Sequence, residues 1–171
     1  MKRTQKITRC ALLAALALAL SLLERLFPLP MLPGAKLGLA NLVTLFALAR
    51  LTPGDAAAIL LTRCLLGALF APSPVSLAYS LVGGAAALAV MIPLRRARRL
   101  SIYGVSVCGA AAHNVGQIVT AMLLLRTAAV LAYLPVLLLF SLLTGALNAF
   151  LAALLLRVLP RKFDDGGNHR G

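Results

Sequence analysis

Hydrophobic residues in this chain come in long runs, parted by short segments rich in proline, glycine and arginine. A helix that crosses a bilayer needs about 20 mainly apolar residues. The pattern predicts six helices, at about 7–26, 37–50, 53–71, 74–94, 102–125 and 135–157. The first follows a basic N-terminal stretch and is not closed by a small-x-small cleavage site, so it is expected to remain as an uncleaved helix. From Pro28 to Lys36 the chain reads PLPMLPGAK, which cannot sustain a helix and is expected to be an outer loop. The second helix is short, and is expected to tilt or to begin below the membrane surface. Thr52-Pro53-Gly54-Asp55 has the pattern of a helix start, with threonine as N-cap, proline first and an acid third. Ser73-Pro74 and Ser101 mark two more starts, and Pro135 is expected at the first position of the sixth helix. The predicted fold class is all-α: an integral membrane protein of six transmembrane helices in one domain over 1–160, with 161–171 as a disordered cytoplasmic tail.

Composition agrees. The 171 residues are 61% hydrophobic and 12% charged, against about 25% charged in an ordinary soluble domain. The net charge of +13 has a topological explanation. With both termini cytoplasmic, Lys2, Arg3, Lys6, Arg9, Arg50, Arg95, Arg96, Arg98, Arg99, Arg157, Arg161, Lys162 and Arg170 lie inside. Arg25, Lys36 and Arg126 lie outside, so the bias follows the positive-inside rule. Aromatic residues do not interleave with the basic ones, which speaks against a nucleic-acid surface. Cys10, Cys64 and Cys108 stand singly in apolar runs, without disulfide or zinc spacing.

Polar residues recur at helical spacing between Gly104 and Leu125, GVSVCGAAAHNVGQIVTAMLLL. Ser106, Gly109, His113, Gln117 and Thr120 share one stripe, with Asn114 beside it. Facing lipid they would lack partners, so the stripe is expected to meet other helices or a water-filled cavity. Interhelical hydrogen bonding accounts for any one such residue. His113, Asn114 and Gln117 together, with Arg63 at the centre of the third helix, point to a binding cavity. An arginine at that depth costs about 2.5–3.5 kcal/mol on insertion scales. It either pairs with Glu24, the acid nearest the outer half of the membrane, or holds an anionic ligand with its planar fork. The expected substrate-binding set is Arg63, His113, Asn114, Gln117, Asn41, Lys36 and Asn148, near the positive end of the second helix. No nucleotide loop, paired catalytic carboxylates, serine elbow or metal triad can be assembled. The expectation is therefore a non-enzyme with no catalytic residues, metal or cofactor, whose energy comes from a partner or an ion gradient. Ala11, Ala15 and Ala19 stack on one face of the first helix, a pattern that lets another helix approach closely and that an alanine-rich chain also produces by composition.

The stretches PGAKLGLANLVTL (Pro33 to Leu45), LLTRCLLG around Arg63 and GVSVCGAAAHNVGQ (Gly104 to Gln117) resemble a bacterial membrane family catalogued as heptaprenyl diphosphate synthase component I, also called the Gx transporter family. That family is similar to the S components of energy-coupling-factor (ECF) transporters, six-helix proteins that capture vitamins or similar solutes from outside. The resemblance implies a substrate-binding component in the bacterial cytoplasmic membrane that captures a small solute from the outer side, and Arg63 points to an anionic one. It implies as partners a T component and cytoplasmic ATPases, with Ala11, Ala15 and Ala19 at the T-component interface. The alternative is a non-catalytic membrane subunit of a polyprenyl diphosphate synthase, since the aspartate-rich motifs that hold magnesium diphosphate are absent. A stand-alone secondary carrier is a further alternative, weakened by the lack of membrane carboxylates.

Overall fold

Helix starts in the structure follow the caps written into the sequence. Asp55 N–H donates to Thr52 Oγ1 at 3.2 Å, and Thr52 N–H donates back to Asp55 Oδ2 at 3.1 Å, a reciprocal box that satisfies two orphan donors. Ser73 Oγ accepts from Ser76 N–H and Ser101 Oγ from Gly104 N–H, at 3.2 and 3.3 Å. These caps open three helices in a computed structural model that describes residues 3–26, 38–70, 72–97 and 100–158. In order, the helices are α1 (Arg3–Leu23), α2 (Asn41–Arg50), α3 (Pro53–Phe70), α4 (Pro74–Arg96), α5 (Ile102–Leu125) and α6 (Leu134–Val158). A 3-10 turn, Glu24–Leu26, ends α1, and a second one, Ala128–Tyr133, leads into α6.

Among the described residues the fold is all helix. Five spans are long and apolar enough to cross a membrane, and α2 is the exception with 10 residues. At 1.5 Å per residue α2 covers about 15 Å, half of a ~30 Å hydrocarbon core. It is also the most enclosed helix, buried from Asn41 to Leu48. Its start is later than the pattern predicts, because Gly38 takes a left-handed conformation (φ 86°) and turns the chain through Leu39 and Ala40 first. α1 ends earlier than expected, tightening to a 3-10 turn at Glu24, and α4 runs on to Arg96. Pro135 sits second in α6, after Leu134. The segment expected to form an outer loop, Pro28 to Lys36, and the expected tail from residue 161 lie outside the described residues.

Close helix contacts explain the glycines. A β-carbon on Gly116 of α5 would lie 3.0 Å from the Gly83 Cα of α4, and one on Gly145 of α6 would lie 2.6 Å from the Val107 Cα of α5. Backbones touch at both points, so small residues do in this bundle what they do between membrane helices generally. Large apolar side chains such as Leu65, Leu69, Leu123, Leu139 and Leu143 point outward, as a lipid-facing surface requires. Arginines pin one end of the bundle: Arg50 Nη2 donates to Leu156 O at 2.8 Å, and Arg95 Nη2 to Ala49 O at 3.1 Å. Both cover carbonyls left open at helix C-termini. Lys6 and Asp55 pair at 3.0 Å, bringing the start of α1 to the start of α3.

Candidate functional site

The turn before α2 gathers most of the expected amides. Gly38 O accepts from Asn148 Nδ2 on α6 at 3.0 Å and from Asn41 N–H at 2.9 Å. A β-carbon on Gly38 would stand 3.0 Å from Asn41 Nδ2 and 3.3 Å from His113 Cδ2, so three expected residues converge on one glycine. Gln117 Nε2 donates to His113 Nε2 at 2.6 Å, one turn along α5, which puts the ring proton on Nδ1. The other face of the imidazole lies on Gly83 of α4, where a β-carbon would come within 2.8 Å of Cε1 and Nδ1. Both Asn41 side-chain atoms, Thr44 Oγ1 and Asn148 Oδ1 are buried there without a hydrogen-bond partner.

Arg63 occupies a separate niche on the other side of α4. It is 3% exposed, and its Nε and Nη2 have no hydrogen-bond partner. Around it stand Ser21, Cys64, Gly67, Ser76 and Ser80, enclosing a space of about 10 Å³. Gly84, next to the glycine under His113, lies against the guanidinium: a β-carbon there would be 3.3 Å from Nη2. Glu24 links the two regions. Its buried carboxylate accepts from Leu39 N–H, beside Gly38, and is near enough for its charge to attract Arg63.

The structure thus brings Asn41, His113, Gln117 and Asn148 together and sets Arg63 across a helix from them. Asn114 goes elsewhere: its Nδ2 donates to Leu137 O of α6 at 2.8 Å, the interhelical bond that polar membrane residues commonly make. Ser106 does the same with Gly145 O at 2.7 Å. Lys36 lies outside the described residues. Ala11, Ala15 and Ala19 are exposed on α1, whereas Ala14 and Ala17 are buried in the bundle. Sequence reasoning missed Gly38, Thr44, Ser76, Ser80 and the Gly83-Gly84 pair; two adjacent glycines inside an apolar run were the available signal for the last. Among the described residues no three metal-ligating side chains gather.

An all-helical bundle with apolar outer faces and a buried polar interior defines a multi-pass membrane protein. Its family follows from comparison with known proteins: the model of heptaprenyl diphosphate synthase component I matches residues 13–155, and the chain belongs to that family. Comparison with curated proteins and with solved structures found no match.

Proposed function

We propose that this chain is a non-catalytic, ligand-capturing component of a larger membrane assembly. One observation carries it: a deeply buried arginine whose Nε and Nη2 lack protein partners, in a niche across α4 from a cluster of buried amides. Ionisable residues inside a membrane are costly and mark ligand pathways by default. A planar guanidinium with free donors suits a carboxylate or phosphate, and across α4 the unpartnered side-chain atoms of Asn41 and Asn148 offer neutral hydrogen bonds.

Two assemblies fit this role. In the first, the chain is the S component of an ECF-type importer in a bacterial cytoplasmic membrane. Six spans would then place both termini inside, and a T component with its ATPases would dock on Ala11, Ala15 and Ala19. The outward position of that alanine strip supports it. In the second, the chain is an accessory membrane subunit of a heptaprenyl diphosphate synthase. The family description supports this reading more directly than the importer. Affinity purification from native membranes tests both. Recovery of a T component with ATPases supports the importer, and recovery of a soluble prenyl synthase supports the accessory subunit. Purification without any partner refutes the assembly reading. Native mass spectrometry of the same sample identifies the retained solute.

A further inference from the structure

A second cavity lies at the arginine-pinned end of the bundle, with no lining residue in common with the Arg63 niche. Its volume is about 630 Å³, within the range of sites that enclose a drug-sized body. Leu48 of α2, Ile92 of α4, and Ile102 and Val105 of α5 form apolar walls. Arg95 and Arg96, in the last turn of α4, supply positive charge, and among the described residues no acid lines the space. Arg95 commits one donor to Ala49 O, which fixes its guanidinium and leaves further N–H groups to be met. Such forks match carboxylates.

The chain carries the complementary groups itself. Its four acidic residues are Glu24, Asp55, Asp164 and Asp165. Glu24 is buried and accepts from Leu39 N–H, and Asp55 pairs with Lys6. The other two are adjacent and follow Phe163, so one short segment joins an aromatic ring to two carboxylates. It lies within reach. Asp164 stands six residues beyond Val158, the last residue of α6, a span of about 20 Å in extended chain. Arg50 Nη2 meets Leu156 O in the last turn of α6, and Arg95 Nη2 meets Ala49 O. The end of α6 and the charged turn of α4 thus flank two consecutive residues of α2, a separation well inside that span.

We propose that Phe163, Asp164 and Asp165 of the same chain dock in this cavity. The carboxylates meet Arg95 and Arg96, and the phenyl ring lies between α2, α4 and α5. Arg161 and Lys162 precede the ring, so they need not enter with the acids. The docked segment ties the end of α6 to α4 and fills the space between the helices. Anything else that binds there must first displace it, which makes the segment a built-in competitor. The proposal is independent of either assembly above.

Chymotrypsin, which cuts after phenylalanine, tests this on the full chain in neutral maltoside micelles, with release of residues 164–171 followed by mass spectrometry. Each rate is divided by that of the matching free peptide, residues 159–171, because an acid beside the cut alters the intrinsic rate. Asp164→Asn combined with Asp165→Asn lies outside the six helices and leaves the bundle folded. It should speed cleavage by about tenfold or more, as loss of charge-assisted hydrogen bonds implies. Arg96→Gln keeps the Arg95 bond to Ala49 O and should change the rate in the same direction. In a cysteine-free background, Leu100→Cys, on the cavity wall, with Gly166→Cys should form a disulfide within one chain. Neutralising both aspartates should slow that reaction by a similar factor. Cleavage as fast in the parent as in the neutralised chain overturns the proposal. So does a disulfide that forms between chains, or one that forms as fast without the carboxylates, which tethering alone would produce. An anionic lipid retained by a parent chain whose tail is cut as fast as the neutralised one gives the cavity to lipid, and likewise overturns it.

Discussion

Replacing Arg63 with methionine separates a ligand-binding arginine from a structural one. Arg63 is 3% exposed, with Nε and Nη2 lacking hydrogen-bond partners. Each buried unsatisfied donor costs about 1–3 kcal/mol, so the two hold about 2–6 kcal/mol that a bound anion would recover. Methionine keeps an unbranched stem about as far as the Nε position and removes the guanidinium with both donors. Against this stands Glu24, also 3% exposed, which loses the attraction of Arg63 but keeps its bond from Leu39 N–H. The two effects oppose each other and are of similar size. Ligand-free Arg63→Met should therefore lie within about 2 kcal/mol of the parent protein, and it should no longer retain solute. A purely structural ion pair behaves differently: removing one partner strands the other and costs about 3–5 kcal/mol. For a chain of this length that is roughly 6–20 °C in Tm. The assay is thermal unfolding in detergent of the parent, Arg63→Met, Glu24→Gln and the double variant, each with native mass spectrometry of retained solute. A loss of that size in Arg63→Met, restored by adding Glu24→Gln, would refute the ligand role.

Gly83→Ala would place a β-carbon 2.8 Å from the His113 ring and 3.1 Å from its carbonyl oxygen; overpacking of about 1–3 kcal/mol and loss of retained solute are expected, by Tm and native mass spectrometry. Unchanged retention would remove His113 from the site. In a cysteine-free background, Ser73→Cys and Thr127→Cys should react with an impermeant thiol reagent on intact cells and Ala97→Cys should not, as the basic bias requires. Labelling at Ala97 overturns that orientation. Ala15 is exposed and Ala17 is fully buried, so Ala15→Trp should leave the isolated protein folded while Ala17→Trp should not. Ala15→Trp should also lose the co-purifying partner; intact assembly would take the alanine strip out of the interface.

Much of the fold was legible because membrane solvation leaves few choices. Apolar runs of sufficient length must become helices, and each cap was announced by Thr52, Ser73 or Ser101 next to the run it opens. The polar stripe of α5 was legible for the same reason, since lipid could not hold it. What each polar residue would meet was not legible. His113 and Asn114 are neighbours in sequence, yet one faces Gly38 and Gln117 while the other bonds Leu137 O across to α6. A helix turns about 100° per residue, so adjacent residues look at different neighbours, and which neighbour depends on packing that periodicity does not encode. The late start of α2 follows the left-handed turn at Gly38, and the 3-10 turn before α6 is capped by Thr127; neither backbone conformation is written in the hydrophobic periodicity. Asn148 Nδ2 reaches Gly38 O across 110 positions of chain, a bond without any local signature.

Packing differences around α4 suggest how the closed Arg63 niche could admit a ligand. A space of about 10 Å³ is at most the size that accommodates one water, so an anion can enter only if the walls separate. α4 packs far more extensively on α5 than on α3, and α5 in turn on α6. Gly116 against Gly83, and Gly145 against Val107, lock that slab by backbone contact. Arg63 and Leu60 lie on the opposite, looser seam, both seated on Gly84 from α3. Opening there disturbs far less packing than parting α4 from α5 would. α1 packs chiefly on α3 and would move with it, carrying the exposed face that holds Ala15. On the proposed function, the sector that must shift to admit the ligand is therefore the sector that presents the candidate partner surface. Occupancy of the niche would change the pose of that surface without any further connecting element.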